Sequence, residues 1–363
     1  MNTKSKIIIT SSLLLILFFS TYAQEQSGEV RGIWLHPSYF GADQKTAVPK
    51  IQSTLDGYVQ AGINTVMVLV KSTSGALYYK SQIGSVDTAW NWDFFGRFLQ
   101  EAQKRHIVVH PWFCVFTEGG RLGQVKQHPE WLIRSKEGTL VGVVNPALPQ
   151  VREYELALMK ELVSQYPVDW IHLDYIRYPC DPAEVYFSFD EQTRGSFKEF
   201  SGVDPLAIKA MDSGNIMWNE WIEWNASHVT AFVRELKEAL GSSGRPIKIS
   251  AAVFPNAENA RVLIAQNWAE WAKEGLIDML CPMLYTNDDD FFRKYTERAV
   301  GIARAHSKVC VGIGIGTAHN QNTPAGMSRQ IKISRDLASD GFVFFSSSSL
   351  THEFLEELGK LNH

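Results

Sequence analysis

A closed (β/α)8 barrel is the architecture that this 363-residue sequence predicts. Short runs rich in β-branched and aromatic residues recur eight times, and segments with apolar residues at every third or fourth position separate them. Alternating strands and helices imply a parallel sheet, and eight such units are the number that closes a barrel. The first run leads into "HPSYFGAD" and lacks the glycine-rich phosphate turn typical of a doubly wound sheet, the competing fold.

The predicted strands are short and end in polar or turn-forming residues. In chain order they are "EVRGIWLHP", "NTVMVLVKS", "HIVVHPWFC", "DWIHLDYIRYP", "IKISAAVFP", "DMLCPMLY", "VCVGIGIG" and "GFVFFSSSSL". The clearest helical segments are "TAVPKIQSTLDGYVQAG", "NWDFFGRFLQEAQKR", "PQVREYELALMKELVSQY", "MWNEWIEWNASHVTAFVRELKEAL" and "SRQIKISRDLAS". Because no linker rich in Pro, Gly or Ser interrupts them, we expect one catalytic domain over residues 24–363, with an enlarged loop after strand four, from Cys180 to Ile216.

The amino terminus has the pattern of a secretory signal peptide. Lys4 and Lys6 precede the apolar stretch "IIITSSLLLILFFS", and Ala23 ends a segment suited to cleavage. No later run approaches the roughly 20 apolar residues needed to span a membrane. We therefore expect residues 1–23 to be removed and the remainder to be secreted or periplasmic, without a membrane span.

Charge and cysteine content argue against several classes of function. With 35 basic and 39 acidic residues, the net charge is −4, so the chain lacks the basic surface that binds nucleic acid or anionic membranes. Export permits a disulfide between Cys114 and Cys180, although spacing alone does not determine pairing and separate thiols are the alternative. The cysteines, which include Cys281 and Cys310, lack the short paired spacings that bind zinc. We expect no metal, no cofactor and no nucleic-acid partner.

The carboxyl ends of barrel strands are where catalytic groups gather. The residues predicted there are His36 on strand one, Lys71 on strand two, His110 and Trp112 on strand three, His172, Asp174 and Arg177 on strand four, and Tyr285 with Asp288 after strand six. Glu118, in the glycine-flanked loop "CVFTEGGRLG", is a further acid at this end. We expect the side chains of four of these residues to converge on one mouth of the barrel: Asp174, His36, His110 and Tyr285.

Strand four places a carboxylate at the catalytic end of the barrel. Because side chains alternate along a strand, His172 and Asp174 point into the barrel while Ile171 faces the helices. A buried carboxylate costs several kcal/mol unless it is paired or functional, and Arg177 and His172 are near enough in sequence to be its partners. Asp174 is therefore the leading catalytic candidate, and a structural Asp–Arg pair is the alternative.

A structural role competes with a functional one for the other candidates. His36 and His110 are as consistent with polar groups lining the barrel as with ligand-binding or proton-transfer groups. Lys71 is long enough to reach solvent, Glu118 lies in a loop where carboxylates are usually solvated, and Asp288 is placed to cap the next helix.

The 11 tryptophans favour a carbohydrate ligand, because indole rings stack on the apolar faces of pyranose sugars. Three of them lie in loops or at helix starts, where we expect exposure: Trp90, Trp92 and Trp131. Three others recur at a spacing that indicates the buried stripe of a helix: Trp218, Trp221 and Trp224.

Three stretches resemble a known family. "VRGIWLHP", "WLIRSKEGTLVGVVNPALPQVREY" and "VDWIHLDYIRYP" are similar to the glycosyl-hydrolase-like family 10 proteins, which are secreted bacterial TIM barrels, and the resemblance covers nearly the whole mature chain. It implies cleavage of bacterial cell-wall or related glycans, with Asp174 aligned on the acid that opens the strand-four motif. Asn145 begins the "NPALPQVR" element, which lies ahead of the helix leading to that strand. Many members carry a second acid where this chain has Tyr175.

A weaker resemblance is to the family 18 chitinases. Asp169 and Asp174 in "DWIHLDYI", and Met283 with Tyr285 in "MLY", are similar to that family's fourth and sixth strands. Ile176 occupies the position of the family's essential glutamate, which excludes substrate-assisted hydrolysis led by that residue.

Three functions from different classes follow. The first is a secreted glycoside hydrolase acting on a polymeric amino-sugar glycan such as peptidoglycan, in which Asp174 is one carboxylate and Glu118 and Asp288 compete to be the second. In that hydrolase, the residues expected to bind substrate are His36, Lys71, His110, Trp112, Asn145, His172, Arg177 and Tyr285. The second is a glycan-binding barrel without a second acid. The third, a carbohydrate esterase or deacetylase, lacks support because the sequence contains no Gly-x-Ser-x-Gly element and no metal-ligand spacing.

Overall fold

A closed barrel of eight parallel strands forms the centre of the protein, whose computed structural model describes residues 28–119, 123–180 and 187–361. The strands are β1 (Val30–Leu35), β2 (Thr65–Lys71), β3 (Val108–Cys114), β4 (Leu132–Arg134), β5 (Leu140–Val144), β6 (Trp170–Asp174), β7 (Lys248–Val253), β8 (Met279–Leu284), β9 (Lys308–Gly314) and β10 (Gly341–Phe345). The barrel runs β1–β2–β3–β6–β7–β8–β9–β10 and closes on β1, while β4 and β5 form a separate antiparallel hairpin. The predicted (β/α)8 fold is confirmed.

Helices surround the barrel and bury their apolar faces against it. They are α1 (Gln44–Gln60), α2 (Phe94–Gln103), α3 (Pro149–Gln165), α4 (Glu191–Ser201), α5 (Ile216–Gly241), α6 (Ala257–Ile264), α7 (Trp268–Lys273), α8 (Asp289–Ala303), α9 (Pro324–Asp336) and α10 (His352–Lys360). Aspartate side chains cap the amino-terminal ends of several helices: Asp43 accepts a hydrogen bond from the Thr46 N–H at α1, and Asp93 accepts one from the Gly96 N–H at α2.

Two long connections leave the carboxyl ends of β3 and β6, on the side where a barrel carries its active site. The first contains the β4–β5 hairpin, and the second contains α4 and a 3₁₀ helix at Pro205–Ala207. They are joined directly, because the backbone N–H of Arg134 donates to Ser188 Oγ (3.1 Å) and that of Phe189 donates to the Arg134 carbonyl (2.8 Å). The second connection is the enlarged loop predicted after the fourth barrel strand.

The expected signal peptide, residues 1–23, lies outside the described residues. Among the helices that are described, none combines the length and the apolar composition needed to cross a membrane. The four cysteines are free thiols; Cys180 is exposed, and Cys114, Cys281 and Cys310 are buried.

Candidate active site

Three strands bring expected site residues to one mouth of the barrel. Asp174 is the last residue of β6, and His36 and Tyr285 directly follow β1 and β8. Burial raises the pKa of the Tyr285 hydroxyl well above its ordinary value, and the Asp174 charge raises it further. The two side chains therefore interact electrostatically at this mouth. Tyr285 is half-buried and stacks on Phe345, with 5.3 Å between ring centroids.

The Asp174 carboxylate is held by three hydrogen-bond donors. Trp112 Nε1 donates to Oδ2 (3.2 Å), and the Tyr175 backbone N–H (2.7 Å) and Arg177 Nη1 (3.1 Å) donate to Oδ1. Each of these groups can only donate, so all three bonds end on acceptor lone pairs of the carboxylate oxygens. The geometry suits a nucleophile, a base or a stabiliser of positive charge better than it suits a general acid.

Arg177 is fixed by stacking as well as by its ion pair. The guanidinium carbon lies 4.3 Å from the centre of the Tyr175 ring and 5.1 Å from that of Phe254. Tyr175 has φ +49°, a left-handed conformation that non-glycine residues rarely adopt and that is often found at functional sites. This reversal ends β6 and brings Arg177 back to Asp174, so the predicted Asp–Arg pairing is confirmed, whereas His172 is not a partner of Asp174.

His110 lies deeper in the barrel than expected. β3 continues as far as Cys114, so His110 is two inward-facing positions below the strand end. Its ring stacks on Trp170, the first residue of β6, at 4.3 Å and 9°. The expectation that His110 reaches the mouth is therefore wrong.

His172 belongs to a hydrogen-bonded chain across the barrel interior. Trp34 Nε1 donates to His172 Nε2 (2.9 Å), and Ser250 Oγ lies 2.9 Å from Nδ1 of both His172 and His110. Because an indole can only donate, Nε2 of His172 is unprotonated and its Nδ1 carries the proton toward Ser250. Burial lowers the pKa of His172 to about 3 and that of His110 well below its usual value, so both rings are neutral. Both ring nitrogens of His172, which was expected to bind substrate, are thus used by hydrogen bonds within the barrel.

Lys71 and Glu118 form a buried ion cluster with Glu155, a residue of α3. Lys71 Nζ lies 3.1 Å from Glu118 Oε1 and 2.7 Å from Glu155 Oε1, and all three side chains have 0% exposure. Lys71 also donates to the Val115 carbonyl (2.7 Å). Glu118 was expected as a second catalytic carboxylate and Lys71 as a substrate-binding residue or a solvated lysine. Their burial corrects each of these expectations.

Two glycines allow the loops after β2 and β3 to close over Glu118. A Cβ atom on Gly123 would lie 2.6 Å from Glu118 Oε2, and one on Gly75 would lie 2.6 Å from the Gly123 Cα. Gly75 also has φ +79°, where a side chain is strained. The backbone N–H of Gln124 donates to Glu118 Oε2 (3.0 Å). The Glu118 carboxylate thus joins the loop after β3 to Lys71 in the barrel wall, and Gly75 of the loop after β2 packs against it.

Protonation of Glu155 should make stability depend on pH. Burial raises the pKa of Glu155 to about 8, with Glu118 adding to the rise and Lys71 opposing it. Between its ordinary value of 4.5 and about 8, the folded protein keeps a proton that the unfolded chain has lost, so the free energy of unfolding falls as pH rises.

We expect Glu155→Gln to remove this fall, because glutamine cannot ionise. Urea unfolding from pH 4.5 to 8.5 measures the slope, with Glu353→Gln at an exposed position of α10 as the control that should behave as wild type. An unchanged slope in Glu155→Gln would contradict the assignment.

Asn145 is a buried structural residue. Its Nδ2 donates to Asp190 Oδ2 (2.8 Å) and Thr193 Oγ1 (2.7 Å), and its Oδ1 accepts from the Tyr178 hydroxyl (3.1 Å). These bonds fasten the "NPALP" segment to the start of α4. Its expected role in substrate binding is corrected, because the side chain has no exposed surface.

Asp288 caps a helix. It is exposed, and its Oδ1 accepts from the backbone N–H of Asp290 (2.9 Å) and of Phe291 (3.1 Å) at the start of α8. The alternative interpretation from the sequence, a capping role, is confirmed. These contacts explain the residue without a catalytic role.

The loop between β2 and α2 supplies two mouth residues that the sequence analysis missed. The Tyr78 ring packs edge-on against His36, with 5.6 Å between centroids. Burial lowers the pKa of His36 and the half-buried Asp87 opposes this, while burial and then Asp87 raise the pKa of Tyr78. Asp87 is thus a second carboxylate near the mouth. Asp93 caps α2, whereas Asp87 accepts one hydrogen bond through Oδ1, from the Ala89 backbone N–H (2.9 Å).

The loop tryptophans are not open platforms for a sugar. Trp90 and Trp131 are only 7% and 9% exposed, and half-buried Trp92 donates its Nε1 hydrogen to the Ala42 carbonyl (2.8 Å). The expectation that they are exposed is therefore wrong for Trp90 and Trp131. Within the described ranges, no group of three or more His, Cys, Asp or Glu side chains is arranged to hold a metal ion.

Comparison with known families gives one match over most of the chain. The family described as glycosyl hydrolase-like 10 matches residues 29–332. Glycosyl hydrolase YngK of Bacillus subtilis (strain 168) is 21% identical over 319 residues, 77% of this chain and 58% of YngK. Glycosyl hydrolase DigH of Escherichia coli (strain K12) is 24% identical over 313 residues, 72% of this chain and 66% of DigH. The alignments thus leave a third or more of each relative unmatched.

A solved structure shares the fold at low sequence identity. The glycoside hydrolase domain of PgaB (BpsB) from Bordetella bronchiseptica superimposes with a TM-score of 0.72 at 13% identity. The match covers 92% of this chain and 98% of that domain.

Proposed function

Since the chain belongs to the glycosyl hydrolase-like 10 family, we propose that it is a glycoside hydrolase whose reaction is centred on Asp174. The observation that carries the proposal is the Asp174 carboxylate at the barrel mouth, held by Trp112, Tyr175 and Arg177. Cleaving a glycosidic bond requires one carboxylate that attacks, or activates water, and one group that protonates the leaving oxygen. Asp174 takes the first role.

Asp87, together with His36, takes the second role. Asp87 replaces Glu118, which is fully buried beside Lys71, and Asp288, which caps α8; its charge acts on His36 beside the end of β1. In this arrangement Asp87 and His36 supply the proton that the leaving oxygen takes up. Asp87→Asn is therefore expected to reduce hydrolysis most for substrates whose leaving group needs protonation.

The proposed substrate is a polymeric amino-sugar glycan, such as the glycan strands of peptidoglycan, outside the cytoplasm. Support comes from the signal-peptide pattern, from the family resemblance and from the two long connections that extend the rim of the mouth. A long cleft suits a chain, because each occupied subsite adds binding energy that can be used at the scissile bond.

The experiment that tests this function is hydrolysis of peptidoglycan glycan strands of graded length. We expect kcat/KM to rise over several sugar units. Equal activity on short aryl glycosides would contradict the polymer assignment, and no activity on any glycan would contradict hydrolysis itself.

A glycan-binding protein without catalysis is the second candidate. It is favoured by Tyr175, which stands where many family members carry a second acid. Binding of the strands by wild type, without cleavage and with equal affinity in Asp174→Asn, would establish it.

Arg177→Lys is expected to lose most of the activity. A lysine retains the charge but cannot reproduce the flat guanidinium that contacts the Tyr175 and Phe254 rings while donating to Asp174. Steady-state kinetics on the same glycan should show a fall mainly in kcat. Wild-type kinetics in this variant would show that the stacked geometry is not required.

A further inference from the structure

His36 is the amino-terminal cap of a short 3₁₀ helix, Pro37–Tyr39, which begins directly after β1. Its Nδ1 accepts a hydrogen bond from the Ser38 backbone N–H (3.1 Å) and lies 2.7 Å from Ser38 Oγ. A ring turned over would place a carbon atom near that hydroxyl oxygen, and even a C–H···O contact spans about 3.3–3.6 Å. The ring therefore faces Ser38 with its Nδ1 edge.

The two polar groups of Ser38 differ in what they require of the ring. A hydroxyl can donate to a bare nitrogen or accept from a protonated one, so Oγ is compatible with either tautomer of His36. The backbone N–H can only donate, so it requires an Nδ1 without a proton, and the neutral ring then carries its proton on Nε2. A second proton, on Nδ1, would break this bond. Burial also lowers the pKa of His36, although Asp87 opposes this, so both effects favour the neutral ring.

Nε2 of His36 lies on the other edge of the ring and is open to solvent. It has no hydrogen-bond partner among the described residues, and it is not one of the unpaired polar atoms that are sealed from solvent. Tyr78 packs edge-on against the ring at 5.6 Å, and Trp90 packs edge-on against Tyr78 at 5.9 Å, so the ring is also held from the side. A fixed N–H without a charge is thus available at the barrel mouth.

We propose that His36 binds the glycan as a neutral imidazole whose Nε2–H donates to a hydroxyl oxygen of the sugar, and that Ser38 is the positioning residue that fixes this tautomer. The inference rests on the proposed function and narrows it, because the proton that the leaving oxygen takes up then comes from Asp87. In the barrel, β2 and β3 separate β1, which leads to His36, from β6, which carries Asp174. His36 therefore contacts the sugar from a different side of the mouth than Asp174 does.

Nitrogen nuclear magnetic resonance determines the tautomer on the full chain carrying Asp174→Asn, which keeps the ligand intact, and His36→Gln identifies the His36 signals. We expect a bare Nδ1 and a protonated Nε2 at neutral pH. The Nε2 signal should move when a tetramer of N-acetylglucosamine is added, whereas the signals of His352, exposed on α10, should stay in place. Ser38→Ala keeps the backbone N–H and should keep the tautomer. Ser38→Pro removes that N–H and should give a mixture of tautomers.

Substitutions of His36 itself test the donor by binding of the same tetramer. Leucine supplies no donor at this position, so His36→Leu should weaken binding about three- to tenfold. Glutamine places an uncharged N–H near the position of Nε2, so His36→Gln should recover most of that loss. Equal weakening by the two substitutions contradicts the role of His36 as a neutral donor.

The spectrum of the protein with Ser38 intact decides the tautomer, so the test does not depend on the folding of Ser38→Pro. A protonated Nδ1, or an Nε2 signal that the tetramer leaves unmoved, overturns the proposal even if wild type hydrolyses glycans. An Nε2–H that responds to the tetramer in a protein that cleaves no glycan supports the donor and contradicts only the proposed hydrolysis.

Discussion

Asp174→Asn is expected to abolish glycan hydrolysis and to leave the fold intact. The amide keeps the shape of the carboxylate but cannot attack, take up a proton or stabilise positive charge, and losing such a group commonly costs about 10²- to 10⁴-fold in rate. Its oxygen can still accept from the Tyr175 N–H and Arg177, but the amide loses the 3.2 Å bond from Trp112 and the negative charge that pairs with Arg177. Leaving the buried Trp112 donor unpaired costs about 1–3 kcal/mol, so Tm should fall by several degrees while the protein stays folded.

Asp288→Asn is the matched control for this variant. It makes the same chemical change at an exposed helix cap, where asparagine caps as well as aspartate, so activity and Tm should both stay at wild-type values. The alternative for Asp174 is a structural brace at the barrel mouth. An Asp174→Asn protein that melts far below wild type yet retains substantial specific activity in the cold would establish that role.

The barrel could be predicted because its signals are local. Each strand is a short apolar run, each helix repeats apolar residues at helical spacing, and the order of the two determines the sheet. The placement of Asp174 and its pairing with Arg177 could also be predicted from local spacing, since Arg177 is the third residue after Asp174 and the chain turns back between them. No knowledge of distant contacts was needed for either conclusion.

Depth within the barrel could not be predicted in the same way. An inward-facing side chain moves by one layer for every two residues of error in the strand end, and β3 extends to Cys114, beyond His110. His110 and His172 therefore face Ser250 in the interior, although both have the alternation expected of mouth residues.

Contacts between distant residues were the other limit. Glu155 lies on a helix 84 residues from Lys71, and its spacing gives no sign that its carboxylate enters the barrel wall. Without that contact, Glu118 looks like a solvated loop acid. Asp87 was missed for another reason, because its loop has no regular spacing and its relation to His36 arises only when β2 pairs with β1.

Lys71→Met is expected to be the most destabilising of these substitutions. Methionine fills much of the space left by the lysine stem but supplies no charge, and it leaves Glu118 and Glu155 together in a site with 0% exposure. Removing one partner from a buried ion pair typically costs about 3–5 kcal/mol. Burial alone would lower the pKa of Lys71, yet the two carboxylates raise it above its ordinary value, so the cation is present throughout the neutral range.

Urea unfolding of a matched series measures this effect. Lys332→Met removes an exposed lysine that pairs with Asp336, and it should change stability little. Adding Glu118→Gln to Lys71→Met should recover part of the loss, because it removes the Glu118 carboxylate that the first substitution leaves without a cation. If Lys71→Met unfolds at the same urea concentration as Lys332→Met, the buried cluster does not hold the loops over the barrel. Wild-type activity in Lys71→Met would then show that the mouth does not depend on the cluster.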